Sequence, residues 1–186
     1  MGTYRSGARA KRSRKGMSLL EVLVSIAVLV IGLAGFLQSL ITTSSLEADT
    51  QDQAAASAAA RATLERMRAT TFNQVFARYN STVADDPGGV ASPGNLFDVA
   101  GLRAMPGQPF AGEIIFPVDA DSPAVLREDI LFPELGTPLD LDVDGVIDGD
   151  DHAADYRLLP VLVRVSWESG RGPASFELRT ILGNIQ

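Results

Sequence analysis

Between Asp140 and Asp151 the chain reads Asp-Leu-Asp-Val-Asp-Gly-Val-Ile-Asp-Gly-Asp-Asp. Carboxylates this dense repel one another unless they share a cation. Asp140, Asp142 and Asp144 alternate, Gly145 allows a sharp turn, and Asp148 and Asp151 follow. Such hard oxygen donors suit calcium, which gathers about six to eight of them. The competing reading is an acidic, solvated turn with no specific ion. Elsewhere the side chains do not compose a catalytic constellation. There is one histidine, His152, read as a solvated neighbour of the acidic run, and there is no cysteine. A Gly-x-Ser-x-Gly elbow, a phosphate-binding Gly-rich loop and a His-Glu-x-x-His pair are all missing from the sequence. The pairs Asp85-Asp86 and Glu128-Asp129 read as loop charges.

A second chemically pointed residue is Glu21. It sits four residues into an apolar run that starts at Met17, and from Val22 to Leu46 no residue is charged. Val22–Ile41 has the length that a helix needs to cross a hydrocarbon core, about 20 residues. A carboxylate at the edge of such a span is costly and calls for a partner. An interfacial glutamate reaching the headgroups is the plainer account. Before the span stand Arg5, Arg9, Lys11, Arg12, Arg14 and Lys15 with no acid, leaving ten basic residues to face all 23 acids in the rest of the chain. A basic head followed at once by an apolar run is a targeting pattern, and the positive-inside rule places that head in the cytoplasm. The acidic remainder argues against nucleic-acid binding.

The segment Lys15-Gly16-Met17-Ser18-Leu19-Leu20-Glu21-Val22-Leu23-Val24 resembles the class III signal of type IV prepilins and type II secretion pseudopilins. The resemblance implies a cut between Gly16 and Met17 by a prepilin peptidase, methylation of the new N-terminus, and Glu21 as fifth residue of the mature chain. Met17 departs from the commoner Phe at the first mature position. The same resemblance implies that Glu21 pairs with the N-terminal amine of a neighbouring subunit, setting the axial register between subunits. The partners are then the peptidase/methyltransferase, other pilins or pseudopilins, and the inner membrane. A strand ending in Val165-Ser166-Trp167, a Gly-containing turn, and a strand carrying Leu178-Arg179-Thr180 look like PilV-type minor pilins and GspI-type pseudopilins. The acidic run in turn resembles the twelve-residue calcium loop of EF-hands and dockerins. That likeness implies ligands from Asp140, Asp142 and Asp144, the carbonyl of Val146, Asp148 directly or through water, and Asp151 in the last position, where Glu is usual. Ile147 then takes the apolar eighth position. Thr137-Pro138 disfavours an entering helix, so a lone loop is expected rather than a paired EF-hand.

These residues need elements to hold them. With no Pro or Gly between Gly35 and Pro87, and good helix formers throughout, one helix is expected from about Ser18 to about Tyr79. Its apolar part, to residue 45, is the membrane and assembly half. Residues 46–79 form an amphipathic half, with Ala56, Ala60, Leu64, Met67 and Thr71 on one face and Phe72, Phe76 and Tyr79 beside it. The Pro- and Gly-rich stretch 80–112 reads as a loop. Short strands are expected over Glu113–Val118 and, as a candidate, Val125–Phe132. A C-terminal hairpin is expected from the alternations Val161–Trp167 and Phe176–Leu182 around a turn at Ser169–Pro173, with Trp167 in the core. The expected fold is α+β: a long N-terminal helix on a small antiparallel sheet. The expected function is a structural, non-enzymatic minor subunit of a pilus or pseudopilus, single-pass in the inner membrane before assembly. Two other classes stay open: a bitopic membrane protein with an acidic calcium-binding ectodomain, and a secreted module cut after the apolar run.

Overall fold

The computed structural model describes residues 18–119 and 121–184. Gly16 and Met17, the expected processing site, lie outside the described residues. The chain divides into two compact units between Ser44 and Ser45.

The first unit consists, among its described residues, of the apolar part of helix α1 (Leu19–Arg68). Leu19–Leu40 has a mean hydropathy of 2.6, and none of it is buried. Its leucines, valines and isoleucines therefore lie open around the whole circumference, as on a helix whose surroundings are apolar. Hydroxyls along it spend their polarity locally: Ser25 Oγ donates to the Glu21 carbonyl at 2.7 Å and Thr43 Oγ1 to that of Ser39 at 3.0 Å.

The second unit holds the core. The later turns of α1 bury Ala56, Ala60, Leu64 and Met67, one face at spacings of three and four. This is the expected face, without Thr71, which is exposed. The expected helix to Tyr79 is corrected: α1 stops at Arg68, a 3₁₀ turn covers Phe72–Gln74, and a short helix α2 covers Val75–Tyr79. The break falls at Thr70-Thr71, where β-branching costs helix stability. The Thr70 amide bonds Met67, a tightened last turn, while the Thr70 hydroxyl caps the Arg66 carbonyl. Re-aiming the chain here buries Val75, Phe76 and Tyr79 together. The Tyr156 hydroxyl fastens the break, donating to the Phe72 carbonyl and accepting the Phe76 amide at 3.3 Å.

Four strands form an antiparallel sheet in the order β1 (Leu96–Phe97), β2 (Gly112–Ile115), β5 (Leu158–Ser169), β6 (Gly172–Gly183). A separate ribbon pairs β3 (Val118–Asp119) with β4 (Ser122–Leu126). The hairpin β5–β6 is the spine, with twelve unbroken pairs from Leu158↔Gly183 to Ser169↔Gly172. Leu159, Val161, Val163, Val165 and Trp167 face the core as the alternation predicts, but Pro160 and Leu162 on the opposite face are buried as well, so the first half of β5 is covered on both sides. Arg164 faces out and pairs with Glu177 at 2.9 Å. Stretch 80–112 is loop for most of its length, but it also supplies β1. There the Phe97 ring lies against Gly112, its cross-strand partner, where any Cβ would collide with it. The candidate strand Val125–Phe132 is corrected to β4, which ends at Leu126. Glu128 follows it, and its buried carboxylate bonds the acidic loop and not a neighbouring strand.

Candidate functional site

Two places carry the sequence's chemistry. The first is the start of α1. Glu21 lies in the first helical turn, where the unpaired amides favour negative charge. It is exposed and directly precedes the uncharged apolar surface. No ion pair of Glu21 occurs among the described residues.

The second is the acidic loop, and its geometry is specific. Asp140 Oδ1 accepts the amides of Val143 at 2.6 Å and Asp144 at 3.2 Å, and its Oδ2 accepts that of Gly145 at 2.9 Å. Asp142 Oδ1 accepts the Asp144 amide at 3.0 Å, and Asp144 Oδ1 accepts that of Val146 at 2.7 Å. The chain is thus wound around the first, third and fifth carboxylates. Winding that tight forces left-handed backbone at Gly145 (φ 95°) and also at Val143 (φ 63°), where a β-branched residue is strained. One carboxylate oxygen from each of Asp140, Asp142 and Asp144 lies within 4.8 Å of the others.

The remaining expected ligands are placed differently. Asp148 Oδ1 accepts the Asp150 amide at 2.9 Å and faces His152 Nε2 at 3.3 Å. Asp151 Oδ1 accepts the amides of Leu126 at 3.1 Å and Ala153 at 3.0 Å, tying the loop to the end of β4. Val146 and Ile147 are about half exposed.

Behind the loop stands a residue that its sequence context disguises. Glu128 is fully buried. Its Oε1 accepts the amides of Leu141 and, at 3.3 Å, Asp142, and its Oε2 accepts that of Asp148 at 3.3 Å. It is no loop charge, but the peg on which both ends of the loop hang. His152 is likewise buried, not solvated as its acidic surroundings suggest. Its Nε2 lies 3.8 Å from Glu128 Oε1, and its Nδ1 lies 3.2 Å from Asp155 and 3.9 Å from Asp142. Burial alone would lower the imidazole pKa. The Asp148 hydrogen bond and the charges of Glu128 and Asp155 outweigh it, and the pKa is raised. Desolvation raises the Asp142 carboxyl, helped by the charges of Asp144 and Glu128, while the Asp150 amide and His152 lower Asp148. Glu128, Asp142 and His152 also bring one ligand atom each within 4.8 Å. The only sequence hint of these two residues is their type, since Glu128 is enclosed by loop amides 13 to 20 residues on, and His152 reaches back across the loop to Glu128.

With this geometry in view, comparison with known families gives one result. Residues 11–37 match the prokaryotic N-terminal methylation motif. The match runs from the basic head through Gly16 and Glu21 into the exposed apolar turns of α1. The motif, together with an N-terminal helix long and apolar enough to cross a membrane and a small antiparallel sheet after it, supports a type IV pilin-like protein. No curated protein and no solved structure shows significant similarity to the chain.

Proposed function

We propose that the chain is a minor subunit of a type IV pilus or a type II secretion pseudopilus, structural and not enzymatic. A prepilin peptidase cuts it after Gly16 and its Met17 is methylated. It waits in the inner membrane with its N-terminus in the cytoplasm and enters the filament through α1. The observation that carries this reading is the continuity of the methylation motif at 11–37 with a helix that opens on Glu21 and exposes apolar residues all round. In a packed bundle Glu21 and a neighbour's N-terminal amine are each costly alone and neutral together, so their pairing selects one axial register. The choice of a minor subunit follows from the likeness of the C-terminal hairpin noted above. A Gly16→Leu substitution tests the processing step. The reading expects accumulation of the uncut precursor in the membrane and loss from filaments, and an unchanged mature product contradicts it.

A calcium ion held by Asp140, Asp142 and Asp144 belongs to the same proposal as a stabiliser of the body; of the further expected ligands Val146, Asp148 and Asp151, the two carboxylates would have to add the ion to the loop hydrogen bonds they already accept. It is supported by the three gathered carboxylates and by the strained winding around them. With no cysteine in the chain, such an ion takes the place of a disulfide in pinning the long connection before β5.

A further inference from the structure

Behind the wound carboxylates of the acidic loop lies a second group of metal-ligating side chains, and it differs in kind. Glu128, Asp142 and His152 each bring one ligand atom within 4.8 Å of the others. Glu128 and His152 are buried, whereas Asp144 at the loop's outer turn is exposed. Asp142 belongs to both groups. Its Oδ1 accepts the Asp144 amide within the loop, and its Oδ2 faces the imidazole at 3.9 Å.

This group is short of positive charge. Among the described residues, His152 is the only ion-pair partner of Glu128, Asp142, Asp148 and Asp155. A neutral imidazole carries a single N–H, yet both ring nitrogens face carboxylates. Nε2 has Asp148 at 3.3 Å and Glu128 at 3.8 Å, and Nδ1 has Asp155 at 3.2 Å and Asp142 at 3.9 Å. In the neutral ring one lone pair therefore opposes carboxylate oxygens. A second proton relieves the ring but adds only one charge, against the two of Glu128 and Asp142. An uncompensated charge in a buried site is costly. A divalent cation on a neutral imidazole balances both carboxylates and occupies the lone pair.

The surrounding contacts are those that hold a metal site in shape. A ligating histidine donates its other N–H to a carboxylate, and ligating carboxylates are themselves hydrogen-bonded. Asp155, outside the group and 61% exposed, holds Nδ1. The amides of Leu141, Asp142 and Asp148 hold Glu128. One imidazole with carboxylates suits zinc, whereas calcium takes oxygens alone. Ligand atoms around a tetrahedral zinc stand about 3.3 Å apart. The group must draw in to reach that, and Asp142, partly exposed on the loop, is the member with room to move.

We propose that His152, Glu128 and Asp142 form a site for one divalent ion of zinc chemistry, separate from the oxygen-only calcium loop. Asp148 faces the same ring nitrogen as Glu128 and is placed for the fourth position. The ion ties Glu128, just after β4, to the acidic loop and to His152 beyond its far end. Asp140 and Asp144 take no part, so failure of the calcium reading leaves this site standing, and the reverse holds as well.

His152 is the chain's only histidine, so an imidazole label gives a single magnetic-resonance signal that reports ligation directly. The full-length, untagged chain in detergent is stripped with chelator and titrated with zinc. The imidazole signal should move to a new position, complete at one zinc per chain, and stay there with calcium in excess. It should also cease to shift with pH across the range where a free ring titrates. Calorimetry on variants separates the two sites. Asp140→Asn should bind zinc as tightly as the parent, and Asp155→Asn, at an exposed position, should bind it about tenfold more weakly or worse. An imidazole signal unmoved by one equivalent of zinc overturns the proposal. So does displacement of zinc by calcium, or loss of zinc binding in an Asp140→Asn chain that still melts cooperatively, since both place the ion among the loop oxygens.

Discussion

The acidic loop yields a prediction with a size attached. Calcium should stabilise the body (residues 45–186) because the folded loop gathers the oxygens of Asp140, Asp142 and Asp144 and the unfolded chain does not. The gain is RT ln(1 + [Ca]/Kd). Extracellular calcium modules bind at about 10⁻⁴–10⁻³ M, so about 10 mM calcium contributes about 1.4–2.7 kcal/mol. For a domain of this size that raises Tm by about 4–10 °C. The assay is thermal denaturation of a body starting at Leu46, by circular dichroism, after chelation and then with calcium or magnesium added. Asp140→Asn removes a carboxylate that also accepts three loop amides, so it should lower stability without calcium and abolish the calcium response. Magnesium should give less, since it demands a tighter octahedron. An unchanged Tm at about 10 mM calcium, or a full shift in Asp140→Asn, refutes the ion.

Three further outcomes follow. Glu21→Ala should leave cleavage largely intact and impair incorporation; filaments containing the variant at normal levels, measured by immunoblot of sheared material, contradict the pairing role. Tyr156→Phe removes the hydroxyl that bridges Phe72 and Phe76, leaving the buried Phe76 amide without its side-chain partner and the Phe72 carbonyl with the Val75 amide. It should cost about 1–3 kcal/mol in urea unfolding with an unchanged slope. The Glu177 carboxyl has its pKa lowered, chiefly by the Arg164 hydrogen bond; desolvation opposes this, and the Arg179 hydrogen bond and both guanidinium charges add to it. Its folded pKa lies below the unfolded value, so its stabilisation is present above the ordinary glutamate range and is lost as pH falls through the folded pKa. Glu177→Gln should therefore flatten the acid limb of stability against pH, and an identical acid limb would contradict the ion pair.

Much of the architecture is legible in local pattern. The apolar half of α1 declares itself by length, and the β5–β6 hairpin by strict alternation from Val161 to Leu182 around a glycine turn. Trp167 sits in the core as its place at a strand end suggests. The end of α1 was not legible, because Ala69-Thr70-Thr71 is only mildly unfavourable for helix, and the gain from burying Phe76 and Tyr79 decides the break. β1, β3 and β4 are too short to hold a pattern, and β1 exists because Phe97 finds Gly112. In the acidic loop, spacing reveals Asp140, Asp142 and Asp144. It conceals Glu128 and His152, whose neighbours read as solvated charges and whose burial depends on segments folded back from elsewhere in the chain.

The central claim is that the basic head is removed after Gly16 and that Met17 begins a subunit carried by α1. The direct test is the intact mass and N-terminal peptide of the protein purified from its native membrane. A chain beginning at N-methylated Met17 is the expected result. A chain retaining Arg5–Lys15 would instead mark a permanent bitopic anchor, and one starting beyond Ile41 a secreted module; either contradicts the account.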